Sequence, residues 1–400
     1  MARSSRRFAA TLIIAVVLSA FAPPSAFAAK TSQPGLYVPA AVLATGDGRV
    51  LWQHNGNKPR RVASCIKMLN ALVVRDSANL DDVITISQKA ASVDDGVIGL
   101  AAGQKITVRD LLGVMLVHSA NGAAEALAIG IAGSEKKYVA MMTAKAKAIG
   151  CKHTRPADPH GLSPNGYSTA SDLSLIASKL LDDPVLKSVV QQTSAHVTRG
   201  GTSASYSTTD RMLYSYRGIE GIKTGYTDPA GYCFVGAAKR NGIELIGVVL
   251  GADVSGDRFT QMTRLLNWGF THSCERELVS REQTMGVVEV ADGFAASVPV
   301  HPAKPLALTV LDSGGALTTQ VSLPPSVRAP IAAGQPLGAV QITRGSTVVA
   351  SVPLVADRAV GAQVHSPTQV VSSAAKGSAQ PSLWRRIANL WAGLGHILGI

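Results

Sequence analysis

Cysteine is scarce in this chain: four residues in 400, at positions 65, 151, 233 and 274. They are too few and too scattered for a disulfide scaffold. No two have the C-x-x-C spacing of a zinc ribbon or a thioredoxin-type site. His54, His118, His153, His160 and His196 show no metal-ligand spacing such as H-E-x-x-H, so neither a metal nor another cofactor is expected. Charged residues make up only 16% of the chain against 46% hydrophobic ones, which excludes disorder along its whole length. Acids are outnumbered, 26 to 38, and the net charge of +12 points to an anionic partner. The basic residues are dispersed and form no nucleic-acid module. No internal repeat is evident, and 400 residues favour two domains.

The ends of the chain differ from its middle. Arg3, Arg6 and Arg7 precede an apolar run over residues 8–22, Pro23 and Pro24 break it, and Ala26-Phe27-Ala28 gives a small-x-small cleavage pattern. Residues 1–28 therefore read as a signal peptide, and the chain as exported to the outer face of the cytoplasmic membrane or the cell wall. The alternative, an uncleaved anchor, requires a longer run. At the other end Leu383, Trp384, Ile387, Leu390, Trp391, Leu394, Ile397 and Leu398 recur at helical spacing, with Arg385, Arg386, Asn389 and His396 mostly opposite. Residues 382–400 read as an amphipathic helix lying in a membrane surface rather than spanning it. A helix docked on its own protein is the alternative. The Ser-, Ala-, Gln- and Pro-rich stretch over 363–381 reads as a linker and favours an independent anchor.

Between these ends, residues 29–275 mix strand and helix patterns. A hairpin is expected over 37–43 and 50–54, helices over 62–75, 108–116, 123–131, 136–149 and 171–181, strands over 231–238 and 244–251, and a helix over 258–269. Strands at both ends with helices between predict an α+β domain: one antiparallel sheet assembled from both termini and packed against helices. From 276 to 362 helical periodicity disappears and short apolar runs alternate with Gly, Pro and Asp, the pattern of a small β-sandwich.

Three motifs carry chemistry. Ser64-Cys65-Ile66-Lys67 is an S-x-x-K at the start of an apolar helix. Ser119-Ala120-Asn121 is an S-x-N between two helical segments. Lys223-Thr224-Gly225 is a K-T-G just before a strand. Each alone is weak, but the ordered trio in an exported chain is a strong signal. Ser64 and Lys67 are i and i+3, on one helix face and within mutual reach. A serine hydroxyl needs an adjacent base. Lysine serves only if burial or a neighbouring cation lowers its pKa, and Lys223 could be that cation. A helix N-terminus also places backbone N–H groups beside a developing oxyanion.

The trio, with Asp158-Pro159-His160-Gly161-Leu162, the stretch Tyr167-Ser168-Thr169-Ala170-Ser171-Asp172-Leu173, the segment 218–232 and Ala329-Pro330-Ile331 with Gly338, resembles the serine-type D-alanyl-D-alanine carboxypeptidases among the low-molecular-mass penicillin-binding proteins. The resemblance covers roughly residues 36–360 and implies a penicillin-binding/β-lactamase-like transpeptidase fold followed by the small β-rich domain. It implies that Ser64 is acylated, Lys67 is its general base and Ser119 relays a proton to the leaving amine. Asn121 would hold the substrate amide, and Lys223 and Thr224, with Gly225 behind them, the substrate's terminal carboxylate. The N–H groups of Ser64 and Tyr226 would form the oxyanion hole. Peptidoglycan stem peptides and β-lactams are the implied partners.

The chain departs from the family pattern at Ile66 and Asn70, where relatives carry Thr, at Gly122, where they carry Asp, and over 208–212, where they read N-x-N-x-L. Cys65 is expected to pack inward, and His160 to be a structural residue of its loop. The alternatives to a carboxypeptidase are a D,D-endopeptidase with the same site, a β-lactamase, and a non-catalytic muropeptide-binding wall protein. The intact Ser64, Lys67, Ser119 and Lys223 argue against the last.

Overall fold

The computed structural model describes residues 33–93, 97–312 and 315–363. The expected signal peptide (1–28), the linker apart from its first residue, and the amphipathic helix (382–400) lie outside these residues. The described chain divides into two compact units, 33–274 and 275–363.

In the first unit β1 (Ala40–Thr45), β2 (Val50–His54), β3 (Ile219–Thr227), β4 (Gly231–Arg240) and β5 (Ile243–Ala252) form one antiparallel sheet in the order β2-β1-β5-β4-β3. Strands from the two ends of the unit meet in its middle, as Ala40 pairs with Leu250 and Thr45 with Leu245. Every residue of β1 and all of β5 from Leu245 onward are buried, which is why both read as continuous apolar runs rather than alternating ones.

The longer helices are α1 (Lys67–Ser77), α2 (Val108–Val117), α3 (Asn121–Ala132), α4 (Glu135–Ala148), α5 (Ala170–Asp182) and α6 (Asp257–His272). The first eight residues of α1 are all buried, and six of them are apolar, so this helix runs through the core. Thr107, Ser134 and Thr169 cap α2, α4 and α5 by accepting from the N–H groups of Asp110, Lys137 and Asp172. Each cap sits one residue before its helix and fixes where the chain turns.

The structure differs from the sequence reading at several points. Lys223-Thr224-Gly225 lies inside β3 rather than before a strand, because the run starts at Ile219 and bulges around Gly221. The first strand starts at Ala40, three residues late, and leaves Tyr37 exposed. A hairpin of Ser194–Arg199 with Thr202–Ser207 and short helices at Gln88–Val93 and Pro184–Val190 have no counterpart in that reading.

The second unit is β-rich. Six strands form one sheet, and Ser273–Val279 pairs with Leu306–Leu311 in a second. Its strand Ser297–Pro302 buries every second residue, Val298, Val300 and Pro302, as one buried face of a sheet requires. Among the described residues no helix is long and apolar enough to cross a membrane.

Candidate active site

Ser64 sits in a 3-10 turn, Ala63–Ile66, that runs directly into α1 at Lys67. Ala63 enters the turn at φ +48°, a left-handed conformation uncommon outside glycine. The turn is braced on two sides. Gly225 of β3 lies so close to it that a Cβ there would stand 3.1 Å from the backbone nitrogens of both Ser64 and Cys65. Gly161, at φ +92°, packs against the Ala63 carbonyl.

The Lys67 ammonium nitrogen is fully buried and meets four acceptors. It stands 2.9 Å from Ser64 Oγ, 2.6 Å from the Ser119 carbonyl, 3.4 Å from Ser119 Oγ and 2.6 Å from Asn121 Oδ1. Burial holds its pKa well below the usual lysine value, and the positive charge of Lys223 lowers it further; Asp158 and Cys65 pull the other way. An amine whose pKa is lowered and which stands 2.9 Å from Ser64 Oγ is placed to accept its proton, the geometry that a nucleophile and its base require.

Ser119 follows α2 and holds φ +70°, which turns its carbonyl and its hydroxyl toward the same amine. A strained non-glycine residue at such a place is common in functional sites. Asn121 begins α3, so the S-x-N motif bridges the two helices.

Lys223 and Thr224 lie on the facing strand, both almost fully buried. The Lys223 amine donates to the Thr224 carbonyl at 3.0 Å, and the hydroxyls of Thr224 and Thr209 are 2.6 Å apart. Burial pushes the Lys223 pKa down to about 8. Tyr226 is exposed, stacks on Tyr232 with ring centres 4.2 Å apart, and donates its hydroxyl to Asp228 at 2.5 Å. Ser64, Lys67, Ser119 and Asn121 are thus joined directly around one amine. Gly225 brings the K-T-G strand against the same turn.

The surrounding residues show what holds this arrangement. Cys65 points inward, its sulfur 3.7 Å from the Lys223 carbonyl, and burial raises its thiol pKa far above neutrality, so it is not a competing nucleophile. Asp158 accepts from the backbone N–H groups of His160, Gly161 and Ser163 and thereby shapes the loop under Ser64. His160 is buried 3.2 Å from Asp158, and desolvation lowers its pKa; it is a residue of the loop's structure. Asn70, one of the departures from the family pattern, donates to the Pro159 carbonyl at 2.9 Å and accepts from the Tyr138 hydroxyl at 2.9 Å, tying α1 to that loop and to α4. All four cysteines are free.

Three residues escaped the sequence reading. Glu125 is fully buried in α3, where burial raises its pKa; Lys89 lies at ion-pair distance, 3.0 Å, without hydrogen-bond geometry, and His160 is 3.9 Å away. One acid in an Ala-rich helix was its only signal. Arg258 of α6 donates to the Gly225 carbonyl at 3.3 Å and lies over the rings of Tyr232 and Phe259. Asp210 is buried beside Lys223 and Arg258 in the segment that departs from N-x-N-x-L. Among the described residues no group of His, Cys, Asp and Glu could hold a metal ion.

Comparison with known proteins gives the same direction. Residues 28–254 match the D-alanyl-D-alanine carboxypeptidase family, and residues 275–362 match the C-terminal domain family of penicillin-binding protein 5. The chain is 31% identical over 368 residues to D-alanyl-D-alanine carboxypeptidase DacF of Bacillus subtilis, covering 88% of this chain and 94% of that one. It is 32% identical over 263 residues to a D-alanyl-D-alanine endopeptidase of Pseudomonas aeruginosa, covering 64% of this chain and 84% of that one. The structure resembles penicillin-binding protein 5 of Haemophilus influenzae with a TM-score of 0.69 and 26% identity, over 82% of this chain and 99% of that one. Because the family match spans more than half of the chain and the Bacillus carboxypeptidase is matched over 94% of its length, the chain belongs to the D-alanyl-D-alanine carboxypeptidase family of serine hydrolases.

Proposed function

We propose that this chain removes the terminal D-alanine from peptidoglycan stem peptides through a serine acyl-enzyme, and that β-lactams acylate the same serine. The observation that carries this is the 2.9 Å contact between Ser64 and a buried Lys67 whose pKa is lowered. Ser64 Oγ attacks the carbonyl carbon of the penultimate D-Ala while its proton passes to Lys67 Nζ. The N–H groups of Ser64 and Tyr226 receive the oxyanion. Collapse expels the terminal D-Ala amine, which takes a proton by way of Ser119. Water then hydrolyses the ester and frees Ser64. Asn121 holds the substrate amide, and Lys223 and Thr224 receive its terminal carboxylate.

Mass spectrometry of the products from a pentapeptide ending in D-Ala-D-Ala tests the reading. Free D-Ala and a tetrapeptide are expected, with no release by Ser64→Ala protein. A D,D-endopeptidase is the second reading, favoured by the similarity to the Pseudomonas endopeptidase. Cleavage of a cross-linked dimer faster than of the pentapeptide would select it. Export by residues 1–28 and attachment to a membrane surface by residues 382–400 complete the proposal. They rest on the Arg-led apolar run and the Trp/Arg amphipathic pattern of the two ends.

A further inference from the structure

Asp210 is a buried carboxyl, 3% exposed, that the acyl-transfer chemistry does not use. It precedes the 3-10 turn Arg211–Tyr214, and its Oδ1 accepts from the Met212 N–H at 2.9 Å. Its Oδ2 is buried with no hydrogen-bond partner among the described residues. The segment is fixed on both sides. The Thr209 N–H donates to the Val117 carbonyl at 3.1 Å, and the Thr209 hydroxyl is 2.6 Å from that of Thr224. The residue preceding Asp210 therefore touches the K-T-G strand where the substrate's terminal carboxylate is received.

Two cations act on Asp210 from elements packed beside it: Lys223 from β3 and Arg258 from α6. Cys65 and Lys67, from the nucleophile turn and the start of α1, are the other titratable neighbours of Lys223; burial keeps the thiol protonated and lowers the pKa of the amine. Arg211, next in the chain, bears on Arg258. Desolvation outweighs the pull of Lys223 and Arg258 and pushes Asp210 up to about 6. The side chain is thus a fixed negative charge above that pH and a neutral acid below it.

We propose that Asp210 is a pH-dependent specificity residue, which strengthens capture of the substrate's terminal carboxylate when protonated and weakens it when ionised. This rests on the reading that Lys223 and Thr224 receive that carboxylate. A peptide C-terminus stays ionised from pH 5 upward, so the change belongs to the protein. By linkage, a bound carboxylate raises the pKa of Asp210 as much as protonation of Asp210 tightens binding.

The test compares kcat/KM, which reports the free enzyme, between pH 5 and 9 for two peptides, one ending in the free acid of D-Ala-D-Ala and one in its carboxamide. Titrations that affect acyl transfer alike for both peptides cancel in the ratio, and whatever Lys67 adds through its interaction with Lys223 is common to the native protein and Asp210→Asn. In the native protein the acid-to-amide ratio should fall about tenfold as pH rises through about 6, as expected for like charges in a medium of intermediate dielectric. Asp210→Asn, isosteric and uncharged, should abolish that step. It should also move the later loss of carboxylate preference below pH 8, because Asp210 helps keep Lys223 protonated. Asp210→Glu should retain the step.

A ratio that is flat between pH 5 and 7 in the native protein overturns the proposal without any variant. A step that persists in Asp210→Asn overturns it equally. If Lys223→Ala leaves the ratio unchanged, the carboxylate reading itself is wrong. If Lys223→Ala collapses the ratio while Asp210→Asn changes nothing, only the role of Asp210 is lost.

Discussion

Gly161 packs its α-carbon against the Ala63 carbonyl at the entry to the nucleophile turn, in a left-handed conformation at φ +92°. A methyl group there would overlap the carbonyl oxygen and press on Ile66. Gly161→Ala is therefore expected to displace Ser64 from Lys67 and to destabilise the unit by about 1–3 kcal/mol from backbone strain alone. Thermal unfolding and labelling by a fluorescent penicillin measure the two effects. A variant that unfolds and labels like the native protein would show that the turn does not depend on this contact.

Ser64→Ala should abolish both D-Ala release and covalent penicillin labelling. Lys67→Ala should slow acylation by about 10²–10⁴-fold, the usual contribution of a general base. Lys67→Arg should not restore it, because guanidinium does not deprotonate. Stopped-flow acylation rates decide each case, and rapid acylation in Lys67→Ala would assign the base elsewhere.

The two lysines give a pH signature. In the proposed mechanism acylation needs neutral Lys67 and charged Lys223, so kcat/KM should climb as Lys67 loses its proton and decline as Lys223 loses its own near pH 8. Stability has a defined sign too. Between about 8 and the ordinary 10.5 the unfolded chain holds the Lys223 proton and the folded one does not, so stability contributed by this group rises with pH across that window. Urea unfolding at pH 8 and 10 should show a smaller rise in Lys223→Met than in the native protein, and equal rises would contradict the assignment.

The penicilloyl-enzyme should be long-lived. Fast hydrolysis needs a second base aimed at a water beside the ester. Asp158, the acid that acts on Lys67, has its carboxylate committed to the N–H groups of His160, Gly161 and Ser163. Intact-protein mass spectrometry after mixing with benzylpenicillin should show the adduct persisting for minutes or longer. Its disappearance within seconds would make the chain a β-lactamase.

If the proposed export and anchoring hold, deleting residues 383–400 frees the protein from membranes and leaves its activity on soluble peptides intact. Fractionation checks this, and a truncated, processed protein that still sediments with membranes would remove the anchor from the account.

Much of this architecture was legible in the sequence because burial imposes simple patterns. β1 and β5 are central strands and read as unbroken apolar runs, and α5 shows both its period and its Thr169 cap. The Ser64–Lys67 pairing follows from i,i+3 spacing alone. What was not legible depends on contacts between distant segments. The hairpin Ser194–Arg199 with Thr202–Ser207 is polar and carries little pattern. Lys223-Thr224-Gly225 read as lying just before a strand, because Gly221, Lys223 and Gly225 mask a buried one. Asp210 and Glu125 are acids whose burial only the assembled fold reveals.

The pairing of Ala40 with Leu250 also sets an order of assembly. The residues that surround the Lys67 amine lie within the first third of the chain, but the strand that braces their turn, Ile219–Thr227, and the neighbours that hold it in the sheet all come after residue 218. Contacts of such separation form slowly and close long loops. A partly emerged chain therefore has its serine and its lysine long before it has a reactive site, and the nucleophile acquires its setting only when β5 is threaded between β1 and β4.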